Sequence, residues 1–196
     1  MIGFYITHPQ VAADASVPVP EWGLSEIGRS RLVAIRQRPW VRSLSRIVAS
    51  AERKAVEGAA ILAETAAVEY EIAPETGEND RSATGYLPPP EFEKAADWFF
   101  ANPERRFRGW ERAIDAQARI VRAVGALLDG GPNDRPIAFV GHGGVGTLLK
   151  CHLAGMPISR SGDQPPGGGN IFAFRLSDRR LLCHWTPVET FTGELG

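Results

Sequence analysis

Ile137-Ala-Phe-Val-Gly-His-Gly-Gly144 reads as a strand that breaks at a glycine turn and continues as a helix. An unbroken apolar run such as Ile137–Val140 describes a strand covered on both faces, because a strand with one wet face alternates instead. Gly141 to Gly144 then turns the chain into a helix whose apolar positions reach about Leu153. Strand, tight turn and helix form half of a βαβ unit, the element from which parallel sheets are built.

The same pattern recurs. Ile2-Gly-Phe-Tyr-Ile6 is a second buried strand, followed by Thr7, His8 and a proline-punctuated loop to Gly23. Ser25 suits the N-cap of a helix to about Gln37, with Ile27, Leu32 and Ile35 apolar. Ser45–Ala49 reads as a strand. Ser50 then suits the cap of a helix to about Ala66, with Ala55, Ala59, Leu62 and Ala63 on one face. Val68–Ile72 alternates as a third strand. Residues 74–90 are polar and rich in proline and glycine, a length that in a compact domain marks a functional loop. Two helical patterns follow, one through Phe92, Ala95, Ala96 and Phe99, the other through Ile114, Ala118, Val121, Gly125 and Leu128. Asn170–Leu176 and Leu181–Thr186 read as a C-terminal hairpin. The alternation predicts an α/β fold, a doubly wound and mostly parallel central sheet with helices on both faces.

At 196 residues the chain suits one domain, 1–196, with 74–112 as a cap and active-site insertion. A net charge of −1 gives no pull toward nucleic acid or an anionic membrane, so any anion site must be local. The apolar start lacks a basic flank and a cleavage signal, and no run is long enough to span a bilayer. Cys151 and Cys183 fit no metal or redox spacing and read as buried free thiols. A cytoplasmic protein without metal or cofactor is the expectation.

His8 and His142 share one context, each just beyond an apolar strand. Ligands of an open α/β sheet bind outside the carboxyl ends of its strands, so the rule brings both imidazoles to one edge. A lone histidine is more often structural; two out of four in this position favour function. Glycines beside His142 let backbone approach an anion, and free N–H groups at a helix start attract phosphate. Lys54 lies one turn into its helix, within reach of the same edge. His152 and His184 carry no such signal.

Four segments in order carry a resemblance: Ile6-Thr-His-Pro9, Leu24-Ser-Glu-Ile-Gly28, Ser50-Ala-Glu-Arg-Lys-Ala-Val-Glu-Gly-Ala59 and Val140-Gly-His-Gly-Gly144. They are similar to the histidine phosphatase, or phosphoglycerate mutase-like, superfamily. Its patterns are Arg-His-Gly, Leu-Thr/Ser-x-x-Gly, Ser-(Ser/Pro)-Leu-x-Arg-Ala and a late His-Gly-Gly. Gly109-Trp-Glu111 also resembles a Gly-Glu-Ser element before a long helix.

The resemblance implies a phosphatase acting on a small phosphorylated molecule, with His8 as nucleophile and phosphohistidine carrier. It makes His142 a stabiliser of the transferring oxygens. Gly143 and Lys54 become phosphate contacts, Lys54 standing where the family has an arginine. The acid for the leaving group is a carboxylate of the 74–90 loop. Glu78 is the best match, then Glu75, then Asp80, and burial beside phosphate should raise its pKa. Thr7 replaces the family's first phosphate-binding arginine, and Pro9 replaces the following glycine. Arg81 is a candidate to fill the vacancy, and Arg105, Arg106, Arg108 and Arg112 around Phe107 and Trp110 are candidates to cover an anion. The alternative is a phosphate-binding pseudoenzyme that kept the fold and lost the chemistry.

Overall fold

A computed structural model describes residues 1–132 and 134–195. The strands are β1 (Ile2–Thr7), β2 (Arg46–Ala49), β3 (Tyr70–Ile72), β4 (Ile137–Gly141), β5 (Asn170–Arg175) and β6 (Leu181–Pro187). The helices are α1 (Glu26–Ala34), α2 (Pro39–Arg42), α3 (Arg53–Ala66), α4 (Pro89–Ala101), α5 (Ala113–Asp129) and α6 (Gly143–Leu153). The six strands form one sheet in the order β3-β2-β4-β1-β5-β6. The four strands from β3 to β1 in that order are parallel, and the C-terminal hairpin adds β5 and β6 antiparallel at one edge.

Side chains of one strand point alternately to opposite faces, and the core divides accordingly. Phe4, Ile6, Ile47, Ala49, Ala138 and Val140 pack under α1, α2 and α3. Their sequence neighbours Tyr5, Val48, Ile137 and Phe139 pack under α4, α5 and α6. Helices therefore cover both faces of a mostly parallel sheet, the predicted architecture.

Several local expectations need correction. The first helix ends at Ala34, short of Gln37, its last turn tightening through bonds from Ile35 N to Leu32 O and Arg36 N to Val33 O. Its buried face is Gly28, Leu32 and Ile35, while Ile27 is 64% exposed. Ser50 is not a helix cap: it ends β2 fully buried, and Glu52 takes the N-cap position of α3. In α5 the buried residues are Ala113, Ala116, Ile120, Val124, Gly125 and Leu128: Gly125 and Leu128 of the expected stripe are among them, whereas Ile114 and Ala118 are exposed. Both stripes repeat at helical spacing and lie side by side, so periodicity alone cannot choose between them. Cys151 is buried, but Cys183 on the edge strand β6 is only half-buried; both are free thiols.

Ser25 caps α1, its Oγ accepting from Gly28 N at 3.1 Å while its own N–H donates to Gln10 O at 2.9 Å. A Cβ on Gly28 would overlap the Gln10 carbonyl, which is backbone and cannot swing aside. Gly28→Ala should therefore cost about 1–3 kcal/mol, the usual penalty of overpacking. Urea unfolding should show a lower midpoint at unchanged slope; an unmoved midpoint would mean the 8–24 loop yields freely.

Candidate active site

Thr7 pairs with Gly141 in the parallel β1–β4 ladder, so the next residues, His8 and His142, leave neighbouring strands side by side. Their ring centroids lie 5.3 Å apart at an interplanar angle of 66°. Ser50 leaves β2 at the same edge, its N–H bonded to Val140 O at 3.1 Å. Three strand ends thus converge at the carboxyl edge of the sheet.

His8 is half-buried. Its Nδ1 lies 2.9 Å from the carbonyl of Pro9. A carbonyl only accepts, so Nδ1 carries the proton and Nε2 keeps its lone pair. Burial and the neighbouring His142 push the His8 pKa down to about 3, leaving a neutral ring at physiological pH. The His8 carbonyl accepts Gly169 N–H at 3.1 Å, and Gly168 packs on it with φ +63°, too close for any side chain. Arg31 braces that loop through the carbonyls of Gly167, Gly168 and Gly169. Between pH 6.5 and about 3 the unfolded chain protonates His8 and the folded chain does not, so stability falls as pH drops through that window. Urea unfolding at pH 7 and pH 4.5 should show this loss shrinking in His8→Gln; an equal loss in both proteins would locate it elsewhere.

His142 is fully buried. Its Nε2 lies 2.6 Å from Ser50 Oγ and 3.3 Å from Glu52 Oε1, while Nδ1 has no partner. Its backbone is clamped by the Tyr5 hydroxyl, which accepts from His142 N at 3.2 Å and donates to His142 O at 3.3 Å. A side chain at Gly141 would overlap that hydroxyl. Burial lowers the His142 pKa against the opposing pull of Glu52 and Glu78.

Glu78 enters this cluster, whereas Glu75 and Asp80 are exposed. Its carboxylate accepts from Gly144 N at 3.1 Å and Val145 N at 2.9 Å, capping α6 from a distant loop. A Cβ at position 144 would stand 2.7 Å from Glu78 Oε1 and displace that carboxylate. The structure corrects two expectations here. Of the helix N–H groups anticipated for phosphate, those of Gly144 and Val145 are held by an internal carboxylate, and among the described residues that of Gly143 is not. The Glu78 pKa is also lowered, not raised: burial pushes it up, but Arg81, His142 and the bond from Asn79 N outweigh burial. Arg119 fixes the segment by donating to the carbonyls of Glu75, Gly77 and Glu78 while paired with Glu111 at 2.8 Å. That is the task of the Gly109-Trp-Glu111 element.

Lys54 is buried at the same edge, bonded to Val19 O at 3.0 Å and ion-paired with Glu52. Glu52, at the position where the family pattern has leucine, was not anticipated. Its carboxylate also accepts from Glu78 N at 3.1 Å. Burial pushes its pKa up, but His142, Lys54 and these bonds hold it at about 2, so it is ionised. A charged residue at an apolar motif position was the available signal. Glu52→Leu removes an anion beside Lys54 and should tighten orthovanadate binding about tenfold, the worth of a desolvated charge contact. Isothermal titration checks this, and unchanged or weaker binding would mean that Glu52 mainly positions Glu78.

The Arg81 guanidinium stacks 5.0 Å from the Phe92 ring centroid and 5.8 Å from that of Trp110. It makes no hydrogen bond or ion pair among the described residues, yet its charge acts on both Glu78 and His142. The other arginines stay apart: Arg112 pairs with Asp115 at 2.6 Å, Arg106 donates to Trp110 O, and Arg105 and Arg108 are exposed. His152 and His184 are exposed and remote from the cluster. Among the described residues, no His, Cys, Asp or Glu group of three or more is arranged to hold a metal ion, and no helix is long and apolar enough to cross a membrane.

Similar structures share this frame. The mycobacterial glucosyl-3-phosphoglycerate phosphatase in complex with inorganic phosphate matches 97% of this chain and 99% of its own at 21% identity, with a TM-score of 0.79. Bacillus stearothermophilus YhfR matches 97% of each chain at 19% identity and a TM-score of 0.77. The alpha-ribazole phosphatase from Shigella flexneri matches 97% and 96% at 16% identity and a TM-score of 0.70. No curated protein sequence matches. The model of the histidine phosphatase superfamily (branch 1) matches residues 8–184, from the first of the paired histidines to the last strand, and the chain belongs to that superfamily.

Proposed function

We propose that this protein is a phosphoric monoester hydrolase that acts on a small phosphorylated metabolite through a phosphohistidine on His8. The observation that carries the reading is the pairing of two neutral imidazoles 5.3 Å apart, with His8 Nδ1 tied to a carbonyl and Nε2 left as nucleophile. Nε2 attacks phosphorus, the ester oxygen departs, and water then takes the phosphoryl group from His8, so one hard displacement becomes two easier ones. The incoming phosphoryl charge favours protonation of His142, whose two ring N–H groups then serve Ser50 or Glu52 on one side and a phosphoryl oxygen on the other. The same charge raises the proton affinity of Glu78, which supplies the leaving group. Arg81 faces the site from the 74–112 cap, the part that sets the substrate. The phosphatases among the similar structures support this class of reaction.

The second reading is a phosphate-binding pseudoenzyme, and two observations favour it. Glu52 neutralises Lys54, and Glu78 holds the Gly144 and Val145 N–H groups at the start of α6. Turnover of p-nitrophenyl phosphate and a panel of sugar phosphates separates the two readings. Hydrolysis lost in His8→Ala supports the enzyme. Vanadate binding without turnover supports the pseudoenzyme, and the absence of both defeats each.

A further inference from the structure

Thr7 stands where the family's arginine grips phosphate, and its short side chain does not reach the reacting centre alone. It is 1% exposed, and its Oγ1 donates to Gln164 Oε1 at 2.7 Å. We propose that Gln164 binds the phosphoryl group, its amide Nε2 donating to the oxygen that the arginine would otherwise hold. This rests on the phosphoryl-transfer reading above and extends it to a residue outside every motif.

The amide orientation follows from its neighbours. Asn170 Nδ2 donates to the carbonyls of Pro165 and Gly168 at 3.0 and 3.1 Å, so the Asn170 atom in that position is the nitrogen. The same Nδ2 lies 3.0 Å from Gln164 and shares its two N–H groups among the three atoms, so the Gln164 atom facing it is the oxygen, since a second NH2 there would not accept. Gln164 Oε1 is thus held by two donors, and Nε2 is the free end. Among the described residues Nε2 has no acceptor. It lies directly over Gly143, where any Cβ would overlap it.

These two supports locate the donor. Thr7 precedes His8 and Gly143 follows His142, so an amide spanning Thr7 and Gly143 bridges the two histidine-bearing strand ends. The Gly143 N–H, at the first position of α6, is one of the helix's orphan donors and belongs to the residue that Nε2 packs against. His142, the residue before Gly143, carries a fully buried Nδ1 that has no partner among the described residues. An oxyanion seated between these two strand ends would accept from the amide, the backbone N–H and a protonated His142 together. Gln164 gives direction without charge, so it restores the arginine's geometry and not its Coulombic pull.

The test uses orthovanadate binding by isothermal titration on the wild-type chain, Gln164→Glu, Gln164→Met, Thr7→Val and Thr7→Ser, with thermal unfolding in anion-free buffer. Gln164→Glu keeps the oxygen that Thr7 and Asn170 hold and exchanges only the donor, so its Tm should stay unchanged. Its vanadate Kd should rise roughly 10- to 100-fold, the loss expected for a hydrogen bond to a charged group. Gln164→Met, neutral and without a donor, should weaken binding by about tenfold on the same grounds. Thr7→Val should weaken it through the misplaced amide, and Thr7→Ser should recover it. Gln164→Glu binding vanadate within about twofold of wild type overturns the proposal, as does a Kd change matched by an equal stability loss in both 164 variants. If the wild-type chain neither binds vanadate nor turns over, the functional reading falls and this inference with it; normal wild-type binding with indifferent variants removes only the inference.

Discussion

Replacing His8 with alanine should lower kcat/KM for a phosphomonoester by at least about 10⁴-fold, the scale of losing a covalent nucleophile. Three features of the site set that expectation. The ring is neutral, because burial and His142 push its pKa down to about 3. Its tautomer is fixed by the Pro9 carbonyl, so the lone pair stays on Nε2. Its backbone is locked by Gly141 O on one side and Gly169 N on the other, at 3.0 and 3.1 Å. Position 9 meets the His8 ring through its carbonyl oxygen, which proline retains. Quenching turnover in alkali should trap a phosphoryl group on the wild-type chain that mass spectrometry maps to His8 and that acid releases. A His8→Ala protein keeping a tenth of wild-type turnover, or a phosphoenzyme mapped to another residue, would refute the assignment.

Glu78→Gln should act according to the leaving group. With an alkyl or sugar phosphate the departing alkoxide needs a proton, and the variant should lose about 10²–10⁴-fold in kcat, the range of general acid catalysis. With p-nitrophenyl phosphate, whose leaving group departs as a stable anion, the loss should be below about tenfold on the same principle. The comparison isolates proton donation from the structural work of Glu78, since that carboxylate also caps α6 through Gly144 and Val145. A capping defect reduces both substrates alike. Because Arg81 and His142 keep the free carboxyl ionised, the acid form must arise as substrate binds. In the wild type, kcat/KM for the alkyl substrate should then fall as pH rises, because the free enzyme must acquire that proton. Equal losses for both leaving groups, with a flat pH profile, would show Glu78 to be a cap alone.

The sheet, its parallel order, the hairpin and the two histidines were legible because each rests on a local pattern. Ile137–Val140 and Ile2–Ile6 are apolar on both faces, and a strand buried on both faces obliges helices above and below. A residue just past such a strand then lies at the carboxyl edge whatever the remaining contacts. Local pattern was less informative where two solutions share one period, as in the adjacent stripes of α5, or where a serine after a strand suits both a cap and a site.

Charge balance was decided by tertiary contacts. Glu52 and Lys54 are two residues apart, yet the match between them depends on Val19 and Glu78 arriving from separate loops. Whether Glu78 is acid or carboxylate depends on its burial and on His142, 64 positions away in the chain, as well as on nearby Arg81. Gln164 meets Thr7 across 157 positions. Hydrophobic period is a property of consecutive residues and survives in the sequence. The proton affinity of a buried group is a sum over everything within a few ångströms, and only the folded chain determines what those neighbours are.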